Sequence, residues 1–388
     1  MLFSLRKYVL LLLTLSCCKQ LTAQQTKEFT HIDTALFQDN AHHWYDIVEK
    51  TAVIHPSFNQ PKYQSTQLQE IANNVLLYQK ENGGWPKNYD IIAILTPQQK
   101  DTLLQNKQSV YTTFDNRTTY SHIALLSKVY YVIKDEQYKK AALKGIEFIL
   151  TAQYANGGWP QFYPLQKNYS RYITFNDDAM AGIMFLLKDI IDQKLEYNFI
   201  DNALRTRIKH AFNKGIDCIL KMQINDGGKP TVWCQQHNEI TLEPIWARKF
   251  EPPSITNGES CKIILLLMSI QSPSPEVIQA IENAIVWLNE SKIYNTRVKT
   301  VDATPTQFAY HFSNKDKVVI IDSTAPPIWT RYYELKTHRP IFCNRDSKIV
   351  YTLAEVERER RTGYGWYTYE PQKILNEYVK WKIKWNKQ

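Results

Sequence analysis

A chain of 388 residues, 44% of them hydrophobic, can bury a sizeable core as one large domain or two ordinary ones. No internal run is long and charge-free enough to span a bilayer. The formal charge of +9 argues for an acidic partner, and abundant aromatics (10 Trp, 24 Tyr) fit either large aromatic cores or sugar-stacking platforms.

The first 23 residues read as an export signal. Arg6 and Lys7 begin it, Val9 to Leu15 form its apolar core, and Leu21-Thr-Ala23 offers a processing site. Lipoprotein-type cleavage before Cys17 or Cys18 is the alternative, but Leu15-Ser-Cys17-Cys18 matches that pattern poorly. Export places the protein in the periplasm or outside the cell, where nucleic acid is an improbable partner and an anionic glycan or lipid surface a better one. Without the signal the charge falls to about +6. Its excess lies late, with Arg331, Arg339, Arg345 and the Arg358–Arg361 cluster.

Residues 24 to about 70 read as a helical lead-in to a repeat. Gln79-Lys-Glu-Asn-Gly-Gly-Trp85-Pro86 recurs as Gln153-Tyr-Ala-Asn-Gly-Gly-Trp159-Pro160. A third copy, Gln223-Ile-Asn-Asp-Gly-Gly-Lys-Pro230, keeps the glycines and proline and loses the tryptophan. Each copy follows a segment with helical apolar spacing, such as Ile71, Val75, Leu76 and Tyr78, so Asn-Gly-Gly is expected to end a helix through positive φ. After each turn comes a polar loop and a new helix start: Thr113-Phe-Asp115-Asn116, Thr174-Phe-Asn176-Asp177-Asp178 and Ile255-Thr-Asn257-Gly-Glu259. Three such units predict three helical hairpins around an axis, a mainly α fold of the incomplete (α/α)3 toroid type over residues 24–295.

Beyond about Asn295 the texture changes. Thr300–Ile321, notably Lys317–Ile321, and Arg345–Tyr351 predict short strands, and Trp381–Trp385 a closing helix. Residues 296–388 would form a smaller mixed lobe within the same domain. Cys218, Cys234, Cys261 and Cys343 permit disulfides but sit in apolar or helical contexts, so buried free thiols fit equally.

The chemistry-bearing residues cluster at helix starts. Asp115 and Asn176 are ordinary N-cap types. The carboxylates Asp177-Asp178, matched by Asp115-Asn116 one repeat earlier, exceed what capping needs. In a toroid such starts converge on one rim, where carboxylates suit a hard cation such as calcium. Arg248, in a loop stiffened by Pro252-Pro253, with Arg331 and Arg345, offers guanidinium forks for the carboxylates of a uronate polymer. His237 beside Glu239 is a candidate general base, although a lone histidine is more often structural. No Ser-His-Asp order, phosphate loop or HExxH motif is present.

Together these segments resemble the pectate lyases of polysaccharide lyase family ten, from about Val53 to Gln372. The likeness rests on the paired Asn-Gly-Gly-Trp-Pro turns, Thr-Phe-Asp115-Asn116, Phe175-Asn-Asp177-Asp178, Trp246-Ala-Arg248 with Glu-Pro-Pro, Arg331-Tyr-Tyr-Glu and Arg339-Pro-Ile-Phe. The block Arg345-Asp through Glu357-Arg-Glu-Arg-Arg361-Thr-Gly-Tyr-Gly-Trp366-Tyr completes it.

The resemblance implies calcium-dependent β-elimination of polygalacturonate. Asp115 would hold the catalytic Ca2+, with Asp177 a further acidic residue of the site, and Asn116 would touch substrate. Arg248 would be the base, Arg331 and Arg345 carboxylate binders, and the enzyme a monomer. A neutral arginine needs nearby cations and alkaline conditions, so activity is expected to rise above neutral pH. Two rivals follow from the same residues. The turns also fit the QW repeat of triterpene cyclases, for which the chain is short and its site too rich in arginine. A silent site would leave a non-catalytic binder of acidic polysaccharide, and a lyase for another uronate polymer or a toroidal glycoside hydrolase takes the remaining place.

Overall fold

The computed structural model describes residues 29–46, 52–309 and 311–385; the export-signal residues, Cys17 and Cys18 among them, lie outside these. Among the described residues the lead-in is helical from Thr34 to Asp46, through a short 3-10 turn into α1 (Gln38–Asp46), and residues 52–67 are mostly irregular.

The helical repeat then follows. α2 (Leu68–Tyr78) and α3 (Pro97–Gln105) precede three hairpins: α4 (Tyr120–Ile133) with α5 (Glu136–Ala152), α6 (Ala179–Ile191) with α7 (Asn202–Met222), and α8 (Asn257–Met268) with α9 (Pro275–Glu290). Local chemistry starts the second helix of each. The carboxylates of Asp135 and Asp201 and the Ser274 hydroxyl accept amide hydrogen bonds at the N-termini of α5, α7 and α9. Apolar stripes such as Tyr138, Ala142, Ile146 and Ile149 turn inward. The first helices, α4, α6 and α8, lie side by side, with α2 against α4 and α11 (Glu370–Trp385) against α8. All of them feed one apolar core running from Ile32 to Leu375.

The repeated turn works differently from the expectation. The helices end at Tyr78, Ala152 and Met222, where Gln79, Gln153 and Gln223 turn extended, so the glycines do not terminate them. Instead each glutamine side chain staples its turn to the next hairpin. The Nε2 groups of Gln79, Gln153 and Gln223 donate to Gly83, Gly157 and Thr231 carbonyls, and also to Ala141, Ala211 and Ala280. Gly83 (φ +96°) and Gly157 (φ +99°) sit so close to the next helix that a Cβ would lie 2.4 Å from the Lys144 carbonyl oxygen and 2.0 Å from that of Lys214.

Nor is the third tryptophan lost. Trp85 and Trp159 donate Nε1–H to the Val75 and Ile149 carbonyls, and Trp233 donates identically to Ile219. A four-residue insertion has moved it. Gly227-Gly228 there forms the tip of a small hairpin, β1 (Asn225–Asp226) with β2 (Lys229–Pro230), both glycines with positive φ.

The late strands are present, though shorter than expected after Arg345. β3 (Thr296–Gln307) and β4 (Phe312–Ile321) form a long, largely exposed hairpin that packs against α10 (Arg358–Thr362). Of the Arg345–Tyr351 segment, only Ile349–Val350 is strand. Phe250, Tyr332, Ile341, Phe342, Val350 and Trp366 make a second, smaller core. Ile255–Thr256 pairs antiparallel with Tyr332–Tyr333, which ties the start of α8 directly to this lobe. The four cysteines from Cys218 onward are buried free thiols, whose ionisation burial disfavours. No helix among the described residues is long and apolar enough to cross a membrane.

Candidate active site

The site is built where two equivalent turns from successive repeats abut. Asp115–Arg117 and Asn176–Asp178 are short 3-10 turns, each opened by a threonine hydroxyl, Thr113 or Thr174, that accepts the next-but-one amide. Neither Asp115 nor Asn176 caps a helix. The backbone goes left-handed at Asn116 (φ +49°), Asp177 (φ +52°) and Asp178 (φ +60°), a conformation that costs non-glycine residues energy and that clusters at functional sites. This geometry brings the Asp115 and Asp177 carboxyls into hydrogen-bonding contact.

The two acids are pushed in opposite directions. Burial opposes ionisation of Asp115, but the charge of Lys87, whose Nζ lies 2.7 Å from Oδ2, outweighs it. Gln161 Nε2 adds a hydrogen bond at 2.7 Å to Oδ1, and Asp115 is held well below the usual carboxylate range. Burial within the cleft walls and then the Asp115 charge push Asp177 well up. Asp177 keeps an exposed face, so the Asp115 charge is the more durable of those causes.

Two facing carboxylates that oppose each other's ionisation are a natural seat for a cation. Gln161 Oε1 is buried without a partner and supplies a third oxygen donor beside them. No group of three or more His, Cys, Asp or Glu side chains fit for a metal occurs among the described residues. The donors on offer are two carboxylates and one amide oxygen, all hard oxygens. Such a set suits calcium. Asn116 is buried beneath, its Nδ2 donating to Asn88 Oδ1, and Asp178 pairs with Arg117.

The three arginines singled out in the sequence meet around an aromatic pillar, Phe250 and Tyr364, whose rings pack edge-to-face. Arg248 and Arg345 lie 5.0 and 5.1 Å from the Phe250 centroid, and Arg331 lies 4.5 Å from that of Tyr364. Arg331 lines one cleft with Asp177 and Asp178, and the charges of Arg248 and Arg331 both act on Asp177. Each arginine also has a glutamate that the sequence did not flag: Arg248–Glu251, Arg331–Glu259 and a bidentate Arg345–Glu359. Arg331 reaches Gln235 and Asn176 as well.

Two expectations change. Arg248 is not eased towards neutrality; burial alone would lower it, but Glu251 outweighs this and pushes the guanidinium still higher. His237 is no base. It is fully buried, with Nε2 accepting from the Cys234 amide and Nδ1–H donating to the Leu242 carbonyl, and burial lowers its pKa to about 4. Arg360, unnoticed in the sequence beyond its cluster, is 4% exposed and stacked 3.9 Å from Phe250 and 4.3 Å from Tyr364. Lys87 was missed too, although it directly follows the Trp85-Pro86 signature.

Comparison with known proteins gives a consistent result. Residues 79–375 match the family model described as pectic acid lyase. The family 10 polysaccharide lyase from Cellvibrio cellulosa is 31% identical and superposes with a TM-score of 0.67, covering 80% of this chain and 91% of that one. A mutant of that enzyme in complex with trigalacturonic acid gives the same identity and score, with 92% of it covered. No curated protein matches.

Proposed function

Because this chain belongs to the pectic acid lyase family, we propose that it is an exported pectate lyase that cleaves α-1,4-linked polygalacturonate by β-elimination. The observation that carries the reading is the Asp115–Asp177 pair, with Asp177 lining a cleft beside Arg331 and the Arg248 charge acting on it. We read the stack of three hairpins as an incomplete (α/α)3 toroid that delivers the two turns to one rim.

The bond to be broken lies β to a carboxylate, and the proton to be removed, at C5, lies α to it. Asp115, Asp177 and the Gln161 oxygen would hold calcium, which when bound neutralises the substrate carboxylate and makes the C5 proton more acidic. Arg331 and Arg345 present guanidinium forks suited to neighbouring galacturonate carboxylates. Lys87 keeps Asp115 ionised. Arg248, with a side chain 39% exposed, is placed to receive the C5 proton. An exported protein with this site would meet pectate outside the cytoplasm.

The test is ultraviolet absorbance of unsaturated uronate ends formed from polygalacturonate, with calcium and then with excess chelator. Product that needs calcium and is lost in Asp115→Asn is the expected outcome. Retention on a polygalacturonate gel without product would instead support a non-catalytic binder.

A further inference from the structure

Resting on the lyase reading, we propose that the proton acceptor is the Arg248–Glu251 pair, with Glu251 taking a guanidinium proton as Arg248 takes the one from C5. A lone arginine is a poor base, since its pKa of about 12.5 or more leaves almost none of it neutral near pH 7. The structure makes the lone-base account harder by setting a carboxylate against that arginine. The same carboxylate removes the difficulty if it shares the proton.

The loop is shaped for this. Glu251 N donates to the Arg248 carbonyl at 2.8 Å, closing a tight turn that Pro252-Pro253 stiffens on leaving. Glu251 Oε2 then accepts the Arg248 amide at 3.0 Å, and Oε1 accepts Nη2–H of the guanidinium at 2.5 Å. The Glu251 side chain is 1% exposed against 39% for Arg248, so the arginine is the accessible member of the pair and the carboxylate the buried one.

The groups facing Glu251 keep it ready. Burial opposes its ionisation, but Arg248 and then Arg331 outweigh this and lower its pKa. Tyr364 donates its hydroxyl to Oε1 at 3.3 Å and in turn meets the Tyr332 hydroxyl at 2.8 Å. Glu259 and Tyr169 also feel its charge, Glu259 being itself paired with Arg331.

The step balances. As Nη2 passes its proton to Oε1, the electron pair freed on the guanidine takes the C5 proton at a cleft-facing nitrogen, so the group stays cationic throughout. The C5 pair forms the C4–C5 double bond and the C4–O bond breaks. The leaving oxygen keeps the C4–O bonding pair and takes a proton from water, and the hydroxide so formed is balanced by the proton that Glu251 releases. Glu251 returns its proton to solvent through Arg248 once product has left.

The test is Glu251→Gln, assayed for kcat and KM across pH with calcium present. The two accounts predict opposite signs. If Arg248 acts alone, removing the carboxylate lowers its pKa, so activity is retained or raised and its optimum moves towards acid. If the pair acts, kcat falls by about 10²–10⁴-fold at every pH with little change in KM, and no acid shift appears. An acid-shifted or undiminished kcat overturns the proposal.

Circular dichroism and retention on polygalacturonate gel monitor folding. Should the Gln variant fail them, Glu251→Asp replaces it, with reduced kcat at the wild-type pH dependence expected and an acid-shifted optimum again contradicting. Wild type lacking calcium-dependent product would defeat the lyase reading itself, a result separate from either.

Discussion

At the scale of single residues, the site owes its character to charges that the chain holds in deliberate imbalance. Asp115 and Asp177 face each other across two left-handed turns, and without a cation their repulsion works against folding. The sign can be worked out for Asp177. Its folded pKa lies above the unfolded value, so its contribution is favourable while it stays protonated and is lost as pH rises from about 4, the unfolded carboxylate value, through the folded one. Asp177→Asn is therefore expected to raise the melting temperature in chelator at neutral pH. The same change should abolish both the stabilisation by added calcium and the lyase activity. Calorimetry with and without calcium, beside the activity assay, checks all three. Arg345→Ala should raise KM more than it lowers kcat, because Arg345 stands by the pillar as a carboxylate binder. Its removal also leaves Glu359 with Arg360 as a charged neighbour, which should limit the cost to folding.

At the scale of elements, the recurring turn is a staple, and its cost of disruption depends on which copy is touched. Gly157→Ala forces a side chain into the positive-φ region and against the Lys214 carbonyl, so a loss of at least about 2 kcal/mol is expected in urea unfolding. Gly227→Ala also demands positive φ, but nothing lies within 4 Å of its new Cβ, and about 1 kcal/mol should suffice. Equal costs at the two sites would contradict the assignment of the third Gly-Gly as a hairpin tip. The repeats themselves, their helices and the aspartate-bearing starts were legible in the sequence, because the turn is written in residues with fixed conformational demands. The displaced Trp233 was not. Spacing from the glycines pointed to Lys229, and only the hydrogen bond to Ile219 reveals the four-residue insertion. Likewise Asp115 and Asn176 looked like caps from their neighbours in sequence, and only the contact between two distant turns turns them into a site. Glu259 was illegible as the partner of Arg331 for the same reason, since 72 residues separate them, whereas Glu251 lies three residues from Arg248 and only its side-chain direction was hidden.

At the scale of the whole molecule, two cores joined by the pairing of Ile255–Thr256 with Tyr332–Tyr333 hold both halves of the cleft in one register. Two buried histidines make that assembly acid-sensitive. Burial holds His122 at about 3 and His237 at about 4. A folded value below the unfolded value of about 6.5 means that the unfolded chain binds the proton first. Stability is then full above about pH 6.5 and falls as pH drops from there towards 4 and 3. A melting temperature that is flat from pH 7 to 4 would contradict this. The central claim, that the cleft eliminates and does not hydrolyse or merely bind, is tested most directly by mass spectrometry of the products of wild-type protein on polygalacturonate with calcium. The account predicts oligogalacturonides with an unsaturated non-reducing end, each lacking the mass of one water relative to a hydrolysis product. A product mixture without unsaturated ends, or intact polymer, would contradict it.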